Sequence, residues 1–398
     1  MQLAMWTYPW DIQDVGMEAT LADLRNRASV NTISLATSYH AGRFLQPRSP
    51  KRKSYYPEDG TVYFEPTPER WGDAPIQPRV AEVVTEGGDV LRDLIRRRDA
   101  GGLAVSCWTV CLHNTRLGLE HPDAVTRNAF GDANIFSLCP SHPEARRYVR
   151  TLVADLSATY KPDRIELETP GFMGYAHGYH HEKDGVGLTA EDDFLLSLCF
   201  CPSCLARSAA AGVDGEAARA TVRRWIVEAC ERAVPAPRWP NFPSDGLDVF
   251  AAYPEVDAFV RWRFEPVTSL VAEIRQEADP ATKVVLIVDM KDGWLCGYDL
   301  AGCGAACDGV IQCGYDMSAD EVSAAMQTAR AAIGSGKYLG TAFRVFFPEM
   351  QQPSDLSDRA AAAVQAGAEG INFYNYGLIP AARLDWVGEA VRAATPRG

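Results

Sequence analysis

Arg164-Ile165-Glu166-Leu167-Glu168 is the segment of this chain best suited to acid–base chemistry. In an extended strand side chains alternate, so Ile165 and Leu167 share one face while Arg164, Glu166 and Glu168 share the other. Two carboxylates on one face repel each other, and Glu166 is expected to raise the proton affinity of Glu168. A carboxyl that stays protonated near neutral pH can serve as a general acid, provided that an ionised partner supplies a nucleophile or base. The run from Val284 to Asp289 places Asp289 on the face of Val285 and Ile287, which makes it the first candidate partner. Arg164 or Arg344 could instead hold one of the glutamates as an internal ion pair.

Further polar and aromatic residues follow other apolar runs: Tyr39 and His40; Trp108, His113 and Asn114; Tyr315 and Asp316; Arg344 and Glu349; Asn372, Tyr374 and Asn375. The segment after Glu168 adds His177, His180, His181 and Glu182. A His-Glu-x-x-His spacing is absent there, and adjacent His180 and His181 do not easily face one ion, so no metal is expected and hydrogen bonding to a hydroxylated substrate is favoured. Cys199-Phe-Cys-Pro-Ser-Cys204 contains one C-x-x-C pair with no second pair of that spacing. It is expected to be a set of buried thiols opening a helix, the alternatives being a zinc knuckle completed by a distant residue or a redox disulfide.

The elements that would position these residues recur along the chain. Eight short apolar runs, each paired with a helical stretch, begin near Leu3, Val30, Leu103, Arg164, Val284, Gly309, Tyr338 and Gly370. Eight strand–helix repeats match a closed parallel (β/α)₈ TIM barrel, in which the loops after the strands build the active site. Tyr8-Pro9-Trp10 supplies no glycine-rich turn after the first run, against a dinucleotide-binding sheet. Capping boxes are expected at Ser141–Glu144 and Ser318–Glu321, and helices over Val80 to Arg98 and Val256 to Ala278. Two insertions interrupt a single domain of residues 1–398. Residues 41–78 are rich in proline and aromatics, with Tyr55, Tyr56 and Trp71 as candidate pocket walls, and residues 169–280 are long enough for several helices.

Apolar residues at 47% and charged residues at 23% are those of a globular protein. A formal charge of −13 disfavours nucleic acid as a partner, and no run of apolar residues is long enough to span a membrane. The first ten residues lack a signal-peptide pattern, so a cytoplasmic location is expected; a homo-oligomer stays open. Walker, G-x-G-x-x-G and G-x-S-x-G motifs are absent, and no cofactor is expected.

With Gly131-Asp132 and Leu138-Cys139-Pro140 preceding the third barrel helix, the chain resembles (β/α)₈ glycoside hydrolases, in particular uncharacterised bacterial glycosidase-like barrels. The resemblance implies cleavage of a small glycoside or oligosaccharide by two carboxylates, with the acid/base glutamate ending strand four at Glu168. It also implies a nucleophile glutamate ending strand seven, where this chain has Gly340-Thr-Ala-Phe-Arg344 and reaches Glu349 only after Phe347-Pro348. Asp289, Glu349 and Asp316 therefore compete for the second role. A metal-dependent sugar isomerase, epimerase or lyase using Glu166, Glu168, Asp289 and nearby histidines is the alternative, as is a barrel that binds carbohydrate without catalysis.

Overall fold

The computed structural model describes residues 1–177 and 181–395. Eight strands form the barrel: β1 (Gln2–Thr7), β2 (Thr32–Tyr39), β3 (Ala104–Val110), β4 (Arg164–Glu168), β5 (Lys283–Asp289), β6 (Gly309–Cys313), β7 (Tyr338–Arg344) and β8 (Gly370–Tyr374). Each pairs in parallel with the next, and β8 returns to β1, which closes the sheet. The expected (β/α)₈ barrel is therefore the observed fold. Glu168 and Asp289 end neighbouring parallel strands, with Val284 opposite Ile165 and Leu286 opposite Leu167.

Eight helices surround the sheet: α1 (Met17–Asn26), α2 (Val90–Asp99), α3 (Pro143–Tyr160), α4 (Phe264–Glu277), α5 (Leu300–Ala306), α6 (Ala319–Ile333), α7 (Pro353–Gln365) and α8 (Arg383–Ala394). The strands divide their side chains between two apolar cores. Ile33, Val105, Ile165, Leu167, Leu286, Leu339 and Phe373 pack outward against the helices. Trp6, Ala36, Trp108, Val110, Val285, Ile311 and Ala342 pack inward to fill the lumen. The parity expected for β4 holds, since Ile165 and Leu167 join the outer core.

Helix boundaries follow local chemistry where the chain supplies it. At the start of α6, Glu321 N–H donates to Ser318 Oγ at 3.3 Å and Ser318 N–H donates to the Glu321 carboxylate at 2.8 Å, the reciprocal pair expected from sequence. Ser318→Ala is expected to lower the unfolding free energy by about 1 kcal/mol, measurable by chemical denaturation. The other expected box does not form, because α3 begins at Pro143 with His142 as its N-cap and no side-chain capping bond. The helix anticipated over residues 80–98 is interrupted at Gly87-Gly88, giving a single turn at Glu82–Thr85 before α2. The helix anticipated over residues 256–278 divides at Arg263 into Pro254–Trp262 and α4.

Loops on the strand-end face carry the elaborations. Between β3 and α3 stand a short helix, Thr115–Glu120, and a hairpin of Val125–Arg127 and Ala133–Leu138. Gly131, at φ +91°, lies in the tight turn of that hairpin, a conformation that glycine adopts without a Cβ clash. Between β4 and α4 the helices Ala190–Ser197, Pro202–Ala210, Gly215–Glu231 and Pro254–Trp262 build the long insertion. Their buried rings, among them Phe194, Trp225 and Phe259, are continuous with the outer barrel core. No single helix among the described residues is long and apolar enough to cross a membrane.

Candidate active site

The two glutamates of β4 occupy different levels of the lumen and different environments. Glu166 is fully buried, and its Oε2 accepts hydrogen bonds from Trp6 Nε1 at 2.7 Å, Ser34 Oγ at 2.7 Å and Asn372 Nδ2 at 3.0 Å. Those donors come from β1, β2 and β8, so Glu166 ties four strands together across the barrel. One oxygen of this catalytic candidate is thus occupied by scaffold donors below the mouth, while Oε1 has no hydrogen-bond partner. Arg164 does not hold it either, since that guanidinium stacks 3.7 Å over the Tyr338 ring.

Glu168 is one layer higher, at the strand end, and accepts a hydrogen bond at Oε2 from Trp108 Nε1. Burial pushes its carboxyl up to about 7, against the partial opposition of that N–H, which favours the ionised form. The elevated proton affinity expected from sequence is present, but its cause differs. Loss of water, rather than repulsion by Glu166, supplies it.

Aromatic rings surround this carboxyl. Trp108 lies 5.6 Å from Trp6, 5.3 Å from Tyr8, 5.0 Å from Tyr39 and 5.7 Å from Tyr374. The Tyr8 hydroxyl lies 3.0 Å from that of Tyr39 and 2.9 Å from that of Tyr374. Burial raises all three phenols above their ordinary range, so they remain protonated hydrogen-bonding groups at neutral pH. Tyr315 lies 6.2 Å from Tyr374 and beneath the Arg344 guanidinium at 4.8 Å.

On the other side of the mouth three imidazoles are in contact. His40 stacks on Tyr39 at 4.3 Å and on His113 at 4.0 Å, and His177 meets His113 edge-on at 4.9 Å. Burial lowers the proton affinity of all three, that of His113 to about 2, with further depression from its two neighbours. They are therefore neutral at pH 7, with His40 held between the Tyr39 and His113 rings and its Nδ1 2.8 Å from Ala41 O. His180 lies outside the described residues. Beyond His177, a cleft of about 560 Å³ runs between the 133–136 strand and the insertion, lined by Ile135, Phe136, Tyr175, Ala176, Leu196 and Ser197. Glu168 is not among its walls; Phe136, 6.0 Å from the His113 ring, links the cleft to the mouth.

The competing second carboxylates differ in availability. Asp289 Oδ1 accepts the N–H groups of Lys291 and Asp292, at 2.9 and 3.3 Å, and the residue is exposed. Glu349 forms an ion pair with Arg344 at 3.0 Å. The Asp316 side chain is 74% exposed and 3.9 Å from Lys291 Nζ, a surface charge rather than a pocket group. Among the described residues, no three carboxylate or histidine ligand atoms at the mouth gather closely enough to share one ion.

Three other sequence candidates have structural duties. Asn114 caps the 115–120 helix by accepting from Leu117 N–H and donates to Gly60 O, which uses both ends of its amide. Asn375 is fully buried and accepts from Gly377 N–H. Trp71 packs 5.7 Å from Tyr148 of α3 and donates to Asp155, so it lies on the outer shell. Tyr55 lies tilted 5.1 Å from Trp10, Tyr56 is exposed, and residues 41–78 also send Phe44, 5.2 Å from Tyr8, and Tyr63, 5.5 Å from Trp10, into the lumen cluster. Trp6, Tyr8, Ser34 and Phe44 carried no local signal, because each acquires its role only when strands far apart in sequence converge.

No known family model matches the chain, and no curated protein sequence matches it. Solved structures share its fold. An alpha-L-fucosidase from Paenibacillus thiaminolyticus superposes with a TM-score of 0.56 at 14% identity, covering 98% of this chain and 48% of that one. A beta-galactosidase from the haloarchaeon Halorubrum lacusprofundi gives 0.58 at 14%, covering 100% and 59%. The catalytic domain of a beta-amylase from Paenibacillus polymyxa gives 0.54 at 13%, covering 97% and 94%. The chain thus spans about half to three-fifths of the fucosidase and galactosidase, and at these identities the likeness is one of fold.

Proposed function

We propose that the chain is a glycoside hydrolase acting on a small glycoside or oligosaccharide, with Glu168 as general acid/base and Asp289, or failing that Glu349, as the second carboxylate. The observation that carries this reading is the Glu168 carboxyl, held at the C-terminal end of β4 in an aromatic-walled mouth and shifted by burial to about 7. Trp108 fixes Oε2, which leaves Oε1 to give its proton to the departing glycosidic oxygen. Asp289 supports the second role by its place on the adjacent strand, inward by parity with Val285 and Ile287, and by its contact with water. Tyr315 and Tyr374, which keep partial exposure while Trp6, Tyr8, Tyr39 and Trp108 are buried, offer faces on which the apolar side of a sugar ring stacks.

The test is a panel of aryl glycosides assayed across pH. The active acid is the protonated form, so kcat/KM is expected to fall as pH rises through about 7. Trp108→Phe removes the N–H that favours ionisation and is expected to move that limb to higher pH. No turnover across the panel with sugars bound would favour a carbohydrate-binding barrel instead. Folding stability has the same direction: because the folded-state value lies above the ordinary 4.5, the contribution of Glu168 is fully present below that value and is lost as pH rises through 7.

A further inference from the structure

We propose that Cys139, Cys199, Cys201 and Cys204 form a closed tetrathiolate site for one zinc ion, which clamps the insertion between β4 and α4 onto the hairpin between β3 and α3. The four buried sulfurs all lie within 4.8 Å of one another. From Cys139 Sγ the others stand at 3.5 Å (Cys204), 3.6 Å (Cys201) and 3.8 Å (Cys199). A tetrahedral zinc with Zn–S bonds of about 2.3 Å requires sulfur–sulfur edges of ~3.8 Å, close to these separations. A disulfide would need a bond of ~2.0 Å and would pair only two of the four.

Backbone donors already converge on the sulfurs. Arg127 N–H donates to Cys199 Sγ at 3.3 Å, Ser141 N–H to Cys139 Sγ at 3.4 Å and Cys204 N–H to Cys201 Sγ at 3.5 Å. The Ser141 hydroxyl lies 3.2 Å from Cys204 Sγ. Such donors stabilise thiolates and fix their direction, as the outer shell of a metal site does. A countercharge is also in place. Arg263 is 1% exposed, with Nη2 donating to Leu295 O at 3.0 Å while Nε and Nη1 have no hydrogen-bond partner. It stacks 4.6 Å over the Phe172 ring and 5.2 Å over Phe194, and the thiols it interacts with electrostatically are Cys296 first, then Cys204, Cys199 and Cys139. A cation buried this completely is costly alone, and a dianionic zinc–tetrathiolate cluster offsets it.

Loading exchanges four thiol protons for one Zn²⁺ with no change of oxidation state. All four positions of the ion are then filled by protein, so the site is structural and has no open position for substrate. Its effect on the fold is local: Cys139 directly follows the strand that supplies Ile135 and Phe136, and Cys199 follows Leu196 and Ser197, so the ion fastens opposite walls of the 560 Å³ cleft.

The chain purified without chelator is expected to carry about one equivalent of zinc by elemental mass spectrometry, and Cys139→Ser less than about a tenth of that. Zinc stripped and replaced by Co²⁺ is expected to give the ligand-field bands and sulfur-to-cobalt charge transfer of a tetrahedral tetrathiolate. The four thiols should resist a thiol reagent until the metal is removed. Wild-type protein that is folded, metal-free, reactive at these thiols and without the cobalt spectrum overturns the site. Stoichiometric iron in place of zinc overturns the choice of ion. The wild-type measurements decide the matter even if the Cys139 variant fails to fold, and none depends on glycoside turnover.

Discussion

Glu168→Gln is expected to lower turnover by about two orders of magnitude or more on glycosides with poor leaving groups, and by much less on activated aryl glycosides. The contrast follows from what the side chain supplies. Departure of a sugar or alkyl alcohol needs a proton at the glycosidic oxygen, whereas a nitrophenolate leaves with little assistance. Glutamine retains an oxygen for the Trp108 N–H, so the mouth keeps its geometry while losing its acid. The limb near pH 7 should disappear in the variant, since its source is the buried carboxyl. Near-wild-type rates on poor leaving groups, in protein with unchanged unfolding, would remove Glu168 from the acid role. Asp289→Asn completes the pair: a loss on both substrate classes, with azide rescue giving product of inverted configuration, would identify a nucleophile. Rescue in Glu349→Gln instead would transfer that role.

Most of the barrel was legible because its strands are short β-branched runs whose order requires no long-range information. Arg164–Glu168 coincides with its expected bounds, and Lys283–Asp289 differs from its expected start by one residue. Glu168 was legible for the same reason, since parity and strand end are local properties. What was hidden depends on contacts between distant segments. Glu166 stood as a second catalytic candidate behind Glu168, and its scaffold role was hidden because its three donors lie 160, 132 and 206 residues away. Ser141 looked like a helix cap, yet its neighbour His142 occupies that position, and the Ser141 hydroxyl instead lies beside the cysteine cluster. The C-x-C-x-x-C segment looked incomplete because its fourth sulfur, Cys139, lies sixty residues upstream of Cys199, across the cleft. The break at Arg263 was marked by Pro266, which a helix tolerates in its first turn but not in its interior. The break at Gly87-Gly88 was marked as well, and there the helical periodicity on either side masked two adjacent glycines.

Glu166→Ala is expected to cost about 3–5 kcal/mol of folding free energy, the largest single effect on stability anticipated in the lumen. Removing the carboxylate strands the Trp6 indole N–H, the Ser34 hydroxyl and the Asn372 amide in a dry interior, and it leaves a cavity where the side chain stood. Each stranded donor costs about 1–3 kcal/mol by itself, but the three share one acceptor and relax together, so the sum is not reached. Glu166→Gln should cost about 1–2 kcal/mol, because it keeps an acceptor oxygen while introducing an amide N–H₂ at the position of Oε1, which has no hydrogen-bond partner. Urea unfolding monitored by tryptophan fluorescence reads both values, as a lower midpoint at unchanged slope. Activity separates this residue from its neighbour two positions on: Glu166→Gln should retain turnover on poor leaving groups where Glu168→Gln does not. A Glu166→Ala protein within about 0.5 kcal/mol of wild type would show that the four strands do not depend on this hub. Loss of turnover in Glu166→Gln at wild-type stability would return that carboxylate to the chemistry.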